Sequence, residues 1–321
     1  MKKYLSKIAA VSIAVGLGVS AAAAEPLKVG VLKMAALTNP WVAKKEGIFE
    51  KNGLDVSLVE FRAGSEAAAA LQGGSVDIVL MIPGTAMTAN ERGFDIVAVF
   101  QNETAKLKGP DSGSVQVRVD SDIKSLKDLE GKKVAVSQLH SQNTVGAQLL
   151  IKNAGVDLSK VQFIELPFPT QYDALKNKQV DAVVTVDPYT TQLQSSGVGR
   201  VISWNYVESI PEQPLGAWWV KRAFLAKNRD VVARFNKSIK ESIDYMNADP
   251  DRARAQVVAY TGLDPALVKN MPLITWSYQV KPDRWQQVID LMTKTGELRK
   301  TPKLESFFAE EIKPYVQSST Q

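Results

Sequence analysis

Gly73-Gly74-Ser75-Val76-Asp77-Ile78-Val79-Leu80-Met81-Ile82-Pro83 and, roughly a hundred residues later, Asn177-Lys178-Gln179-Val180-Asp181-Ala182-Val183-Val184-Thr185-Val186-Asp187-Pro188 carry one pattern twice. Each is an apolar run introduced by Val-Asp and stopped by proline, and each follows a helix-like segment. Short apolar runs bounded by turn residues predict buried strands. Two such units predict two half-molecules built alike, with a cleft between them that grips something small. The paired aspartates, Asp77 and Asp181, read as structural, because a short carboxylate at the start of a strand bonds nearby backbone N–H groups.

Outward from the first unit, strands are expected at 27–33, 54–61, 76–82 and 95–100, and helices at 40–45, 66–72 and 85–92. Asn39 is placed as the cap of the 40–45 helix, with Pro40 at its first position. Around the second unit the expected strands are 134–137, 161–166 and 180–186, and the helices 144–153 and 171–176. This alternation predicts an α/β fold with mostly parallel sheets and helices on their faces. Beyond residue 220 the chain reads as helical. Val231, Phe235, Ile239, Ile243 and Met246 recur every three or four residues, the stripe of a helix facing a core. A helical tail packs most economically on the first half, so lobe 1 is expected to be discontinuous, 25–112 and 208–321, with lobe 2 at 113–207. The crossings between them are assigned to the turn-rich stretches 109–114 and 209–214.

The N-terminus predicts export. Lys2 and Lys3 precede the uncharged apolar run 8–17, and Ala22-Ala23-Ala24 offers a cleavage site, so residues 1–24 read as a signal peptide. That run is short of the ~20 residues that span a bilayer. The chain has no cysteine, hence no lipid-attachment Cys, and a periplasmic protein that is not a lipoprotein is expected. The leader lysines account for most of the net charge of +5; without Lys2, Lys3 and Lys7, 36 basic residues face 34 acidic ones. That balance, with no basic stripe, argues against nucleic acid as a partner. Removing 24 of 321 residues leaves 297, enough for two cores.

Catalytic and metal-binding patterns are absent from the sequence. His140 is the only histidine, which rules out His-rich metal motifs, and there is no G-x-S-x-G elbow, Walker A or full G-x-G-x-x-G fingerprint. No catalytic residue, metal or cofactor is expected. What remains are loops at the carboxyl ends of the parallel strands, where ligands of open α/β sheets sit: 34–41, 62–65, 83–85 and 138–144. Each leads into a helix whose free N–H groups and dipole favour an anion. In the fourth loop, Ser141 and Asn143 equally suit plain helix capping. Arg62 is either a charge partner for an anion or a solvated side chain, and Trp41 either lines the cleft or packs in the first lobe. Trp218-Trp219 reads as part of a buried strand. Asp187 is poised either to accept a ligand N–H or to cap the next helix.

These residues bear a family resemblance. Leu27-Lys28-Val29-Gly30, the run Lys45-Glu46-Gly47-Ile48-Phe49-Glu50-Lys51-Asn52-Gly53-Leu54-Asp55-Val56, and Asp128-Leu129-Glu130-Gly131-Lys132-Lys133-Val134-Ala135-Val136, together with the two Val-Asp units, resemble the periplasmic binding proteins of nitrate/sulfonate/taurine-type ABC importers. The resemblance covers nearly the whole mature chain. It implies a type II periplasmic-binding-protein fold, two α/β lobes joined by hinge crossings around a central cleft. By position it places ligand contacts at Leu37, Thr38, Asn39, Trp41, Gly64, Ser65, Gly84, Thr85, His140, Ser141, Gln142, Asn143, Thr144 and Asp187. It further implies a monomer that captures a small molecule and hands it to an ABC permease in the inner membrane. Met34, Leu37 and Trp41 make the first loop apolar for a nitrate site, so a small organic anion with an apolar or aromatic part (sulfonate or carboxylate) is expected. Two other classes compete: a periplasmic sensor module, and an enzyme related to thiamine-pyrimidine synthesis. The enzymes known by a Cys-rich motif are disfavoured by the absence of cysteine.

Overall fold

The computed structural model describes residues 24–317; the expected signal peptide, apart from Ala24, lies outside them. Among the described residues, eleven strands form two sheets. They are β1 (Glu25–Leu32), β2 (Leu54–Phe61), β3 (Ile78–Met81), β4 (Ile96–Thr104), β5 (Gly113–Arg118), β6 (Lys133–Val136), β7 (Gln162–Glu165), β8 (Ala182–Val186), β9 (Gly199–Ser203), β10 (Pro214–Lys221) and β11 (Thr275–Trp276). The first sheet runs β11-β4-β10-β3-β1-β2 and the second β7-β6-β8-β5-β9.

The two Val-Asp units occupy equivalent places. In the first sheet Asp77 Oδ2 accepts the Lys28 N–H at 2.8 Å while its own N–H donates to the Lys28 carbonyl at 2.9 Å. In the second, Asp181 Oδ2 accepts the Lys133 N–H at 2.9 Å and its N–H donates to the Lys133 carbonyl, also at 2.9 Å. Each aspartate therefore clamps the start of its strand to the start of the neighbouring parallel strand. The registers that follow, Val29 opposite Ile78 and Val134 opposite Ala182, set which residues reach the carboxyl ends together. The structural reading of these aspartates agrees with their contacts.

The sheets are less parallel than expected. Each has three parallel strands, β2-β1-β3 and β7-β6-β8, but next to β3 lies antiparallel β10 and next to β8 lies antiparallel β5. These two strands begin where the chain has just passed from one sheet to the other, so each passage delivers one strand in the reverse sense. Between the passages, backbone bonds tie Ala105 to Gln213 at 2.9 Å and Glu212 to Lys106 at 3.1 Å. Gly113 and Gly216 sit in these strands because neighbours need the space. A Cβ on Gly113 would come within 2.4 Å of the Tyr206 ring, and one on Gly216 within 2.9 Å of Glu103 Oε1.

Successive side chains of a strand point to opposite faces, and β10 uses both. Trp218 packs edge-on against Phe235 at 5.1 Å on one face, and Trp219 meets Trp285 at 6.2 Å on the other. The expected stripe of Val231, Phe235, Ile239, Ile243 and Met246 is buried along helix Arg229–Asn247. Helix Pro282–Lys294 covers the second face through Trp285, Val288, Ile289 and Met292. Several helices start earlier than expected. The first spans Thr38–Lys45 after a turn of 3₁₀ helix at Ala35–Leu37 and has Leu37, not Asn39, at its cap. Asn39 lies inside that helix, where its amide donates to Asn102 Oδ1 at 2.8 Å.

Candidate functional site

A cavity of about 790 Å³ lies between the carboxyl ends of the parallel strands of the two sheets. The first sheet contributes Met34 and Leu37 after β1, Phe61 to Gly64 after β2, Ile82 and Thr85 after β3, and Glu103 from β4. The second contributes Ser137, Gln138, Ser141 and Asn143 after β6, Pro167 to Pro169 after β7, and Asp187 and Tyr189 after β8. Ser112 and Tyr206, from the segments joining the sheets, and Leu215, near the start of β10, also line it. Most of the wall is apolar or aromatic; the Phe168 and Tyr189 rings lie nearly parallel with centroids 6.1 Å apart.

Of the residues expected from sequence to touch a ligand, Leu37, Gly64, Thr85, Ser141, Asn143 and Asp187 reach this wall. The others are engaged elsewhere. Thr38 is buried, its hydroxyl donating to the Ala35 carbonyl at 2.8 Å, and Asn39 is held by Asn102 as described. Trp41 packs on Tyr260 at 5.8 Å, beneath the Lys45 ammonium, so the core alternative holds for it. Gln142 is buried and ties elements together: its amide donates to Gln213 Oε1 at 2.7 Å and to the Pro214 carbonyl at 2.9 Å, while its oxygen accepts the Gly84 N–H at 3.1 Å. That bond also occupies Gly84. Thr144 donates its hydroxyl to the Gln138 carbonyl at 2.6 Å. His140 is exposed and meets Glu297 through Nδ1 at 2.8 Å. Ser65 Oγ accepts a bond of 3.4 Å from Gln138 Nε2, linking loops of the two sheets.

Glu103, Phe168, Tyr189 and Tyr206 were not singled out from sequence. Phe168 sits between prolines at the end of a strand, a signal that was available. Glu103 gave none, because it lies inside β4, its carboxylate packed where Gly216 leaves room.

The buried ionisable groups of the wall are acids. Burial pushes the Glu103 carboxyl up to about 8, and the negative charge of Asp111 adds to it. Burial lifts Asp187 to about 7, against hydrogen bonds from the Thr191 hydroxyl and N–H that lower it. Those bonds, 2.7 and 3.0 Å, both end on Oδ1, and Oδ2 takes none from the protein. Asp111 is itself raised by burial, with the Ser112 and Lys106 N–H groups opposing. Tyr206 is pushed far above the usual phenol range by burial, then by Glu103 and Asp111. The cations that line the cavity, Lys33 and Arg62, are exposed.

A family model described as "NMT1/THI5 like" matches residues 35–253. Among curated proteins, one named as a binding protein from Brucella abortus (strain 2308) is 26% identical over 226 residues, covering 70% of this chain and 68% of its own. The 4-amino-5-hydroxymethyl-2-methylpyrimidine phosphate synthase of Aspergillus parasiticus is 24% identical over 245 residues, covering 68% of this chain and 65% of its own. Among solved structures, the periplasmic aliphatic sulphonate binding protein SsuA from Escherichia coli superposes with a TM-score of 0.75 at 22% identity, over 90% of this chain and 98% of that one.

Proposed function

The chain belongs to the NMT1/THI5-like family and has the fold of periplasmic solute-binding proteins of ABC transporters, and from that premise we propose that it captures a small, flat, largely apolar organic solute and delivers it to a membrane permease. One observation carries this reading. A cavity of about 790 Å³, within the ~300–1,000 Å³ range of small-molecule sites, is walled by loops from both sheets. A ligand that touches both walls favours whichever arrangement of the two brings more contacts to it, which is how such a protein signals occupancy.

The aromatic wall supports the apolar part of the solute. The anionic head expected from sequence has the exposed Arg62 and Lys33 and the sulphonate-binding relative in its favour; Asp187 and Glu103, buried in the same wall, weigh against it. Export through a cleaved leader at residues 1–24 and action as a monomer belong to the same reading. A thermal-shift screen with sulfonates, carboxylates, nitrate, pyrimidines and carboxamides tests it. A compound should raise the unfolding temperature and be recovered unchanged. Recovery of a converted product would favour the synthase-like alternative, and mass spectrometry of the exported protein should find Glu25 at its N-terminus.

A further inference from the structure

We propose that the polar end of the cavity selects a neutral solute with an amide-like edge, an N–H beside a C=O, which Asp187 Oδ2 accepts from and Asn143 Nδ2 donates to. The inference deepens the solute-binding reading and rests on it. Asn143 and Asp187 are 3% and 4% exposed, both line the cavity, and each has one side-chain polar atom, buried, that no other protein group bonds.

Their orientations are fixed by what their other atoms do. Asn205 Nδ2 donates to the Asn143 backbone carbonyl at 3.2 Å, which identifies that atom as the amide nitrogen. The same nitrogen donates to Asn143 Oδ1 at 2.6 Å, so the Asn143 side chain must present its oxygen to Asn205 and its NH₂ the other way. Asp187 Oδ1 is held by both donors of Thr191, which leaves Oδ2 as the free acceptor. Asn143 is the second residue of helix Gln142–Asn153, which follows β6, Asp187 is the first residue after β8, and β6 and β8 are neighbours in register. Segments that follow neighbouring strands thus carry the two groups, one donor and one acceptor, and the complementary ligand edge carries one acceptor and one donor. A buried polar atom left without a partner is destabilising, so a solute supplying both partners gains over one that supplies only acceptors, such as a sulfonate or carboxylate.

The titratable and charged groups around this end set the pH response. Asp111 and Lys106 act on Asp187 from the segment after β4; Glu103, Tyr189, Tyr206 and the exposed Glu60, Lys33 and Arg62 line the same cavity. Because burial holds Asp187 near 7, a carboxamide donating to its carboxylate binds more tightly as pH rises through that value. An anion accepting from the protonated acid would bind less tightly over the same interval.

The test uses the full chain with matched sets of aromatic carboxamides, carboxylates and sulfonates sharing one ring, benzamide, benzoate and benzenesulfonate among them, read by thermal shift and calorimetry between pH 5.5 and 8.5. Carboxamides are expected to bind best, increasingly so at high pH. Asp187→Asn, whose amide oxygen still accepts from Thr191, should weaken them about tenfold or more without lowering the unliganded unfolding temperature. Adding Asn143→Asp should restore part of the loss, since the donor and acceptor are then exchanged and the edge can bind reversed. Tighter binding of carboxylates or sulfonates, or carboxamide binding indifferent to Asp187→Asn, overturns the proposal while leaving the solute-binding reading standing. Stabilisation by no member of any set counts against that reading and the proposal with it.

Discussion

Glu103 holds a proton in the folded chain over a pH range where an unfolded chain would not. Its carboxyl is raised from 4.5 to about 8 by burial and by Asp111. Between those values the native state binds the extra proton, so the contribution of Glu103 to stability is greatest below about 4.5, falls as pH rises toward 8, and is flat beyond. Glu103→Gln removes the titration. Relative to the parent, the variant should gain on the order of a few kcal/mol at pH 8.5 and little at pH 4.5, measured by thermal unfolding at both. An equal effect at the two pH values would mean that Glu103 does not carry its proton in the fold. Ser141 is the second residue-scale case. It reaches the cavity and also caps helix Gln142–Asn153, its Oγ accepting the Thr144 N–H at 3.3 Å. The capping reading of this serine from sequence agrees with that bond, and Ser141→Ala should cost about 1 kcal/mol of stability through the cap alone, visible as a lower urea midpoint. At this scale sequence locates loops better than atoms. Strand ends and helix starts marked the loops that hold Leu37, Gly64, Thr85, Ser141, Asn143 and Asp187. Whether a side chain in such a loop turns inward depends on partners distant in sequence: Asn102 draws Asn39 away and Gln213 draws Gln142. Glu103 is the converse, a strand residue that lines the cavity and packs where a glycine on another strand leaves room.

At the scale of elements, the Val-Asp clamps should behave as independent copies of one device. Asp77→Ala and Asp181→Ala each remove one acceptor from a backbone N–H, at Lys28 and Lys133. Each should cost about 1 kcal/mol. The two sites lie in different sheets and share no partner, so the double variant should lose the sum to within about 0.5 kcal/mol. Chemical denaturation of the two single variants and the double measures this; strong non-additivity would argue against independent clamps. The repeat that made the fold legible is thus a matter of register, and local sequence carries register well: a two-residue signal, an apolar run, a proline. The antiparallel strands β5 and β10 were harder. Trp218-Trp219 marks β10 as buried, but nothing within a strand states the direction in which it joins a sheet. That direction comes from where the chain has been, here from the other sheet, and it is set by the whole path.

The molecule as a whole is two sheets sharing one cavity, and in this arrangement their loops touch across it. Gln138 reaches Ser65 at 3.4 Å and His140 meets Glu297 at 2.8 Å, each pair joining a loop after β6 to an element packed with the first sheet. Behind the cavity, Gln142 holds Gly84, Gln213 and Pro214 together. The Gln138–Ser65 and His140–Glu297 contacts lie partly in solvent, and such contacts contribute about 0–1 kcal/mol each. They suit a mouth that opens, whereas the buried bonds of Gln142 suit an axis about which it turns. The chain contains no cysteine, so two can be introduced without competing thiols. In Ser65→Cys/Gln138→Cys, a short bismaleimide should bridge the pair faster in the presence of a stabilising ligand than in its absence, because the ligand holds the two walls together. Once bridged with ligand inside, the protein should release it slowly, and reductive cleavage of a disulfide-containing bismaleimide should return the rate to the parent value. A bridging rate indifferent to every ligand that raises the unfolding temperature would show that the two sheets keep one spacing, and would count against closure on a ligand.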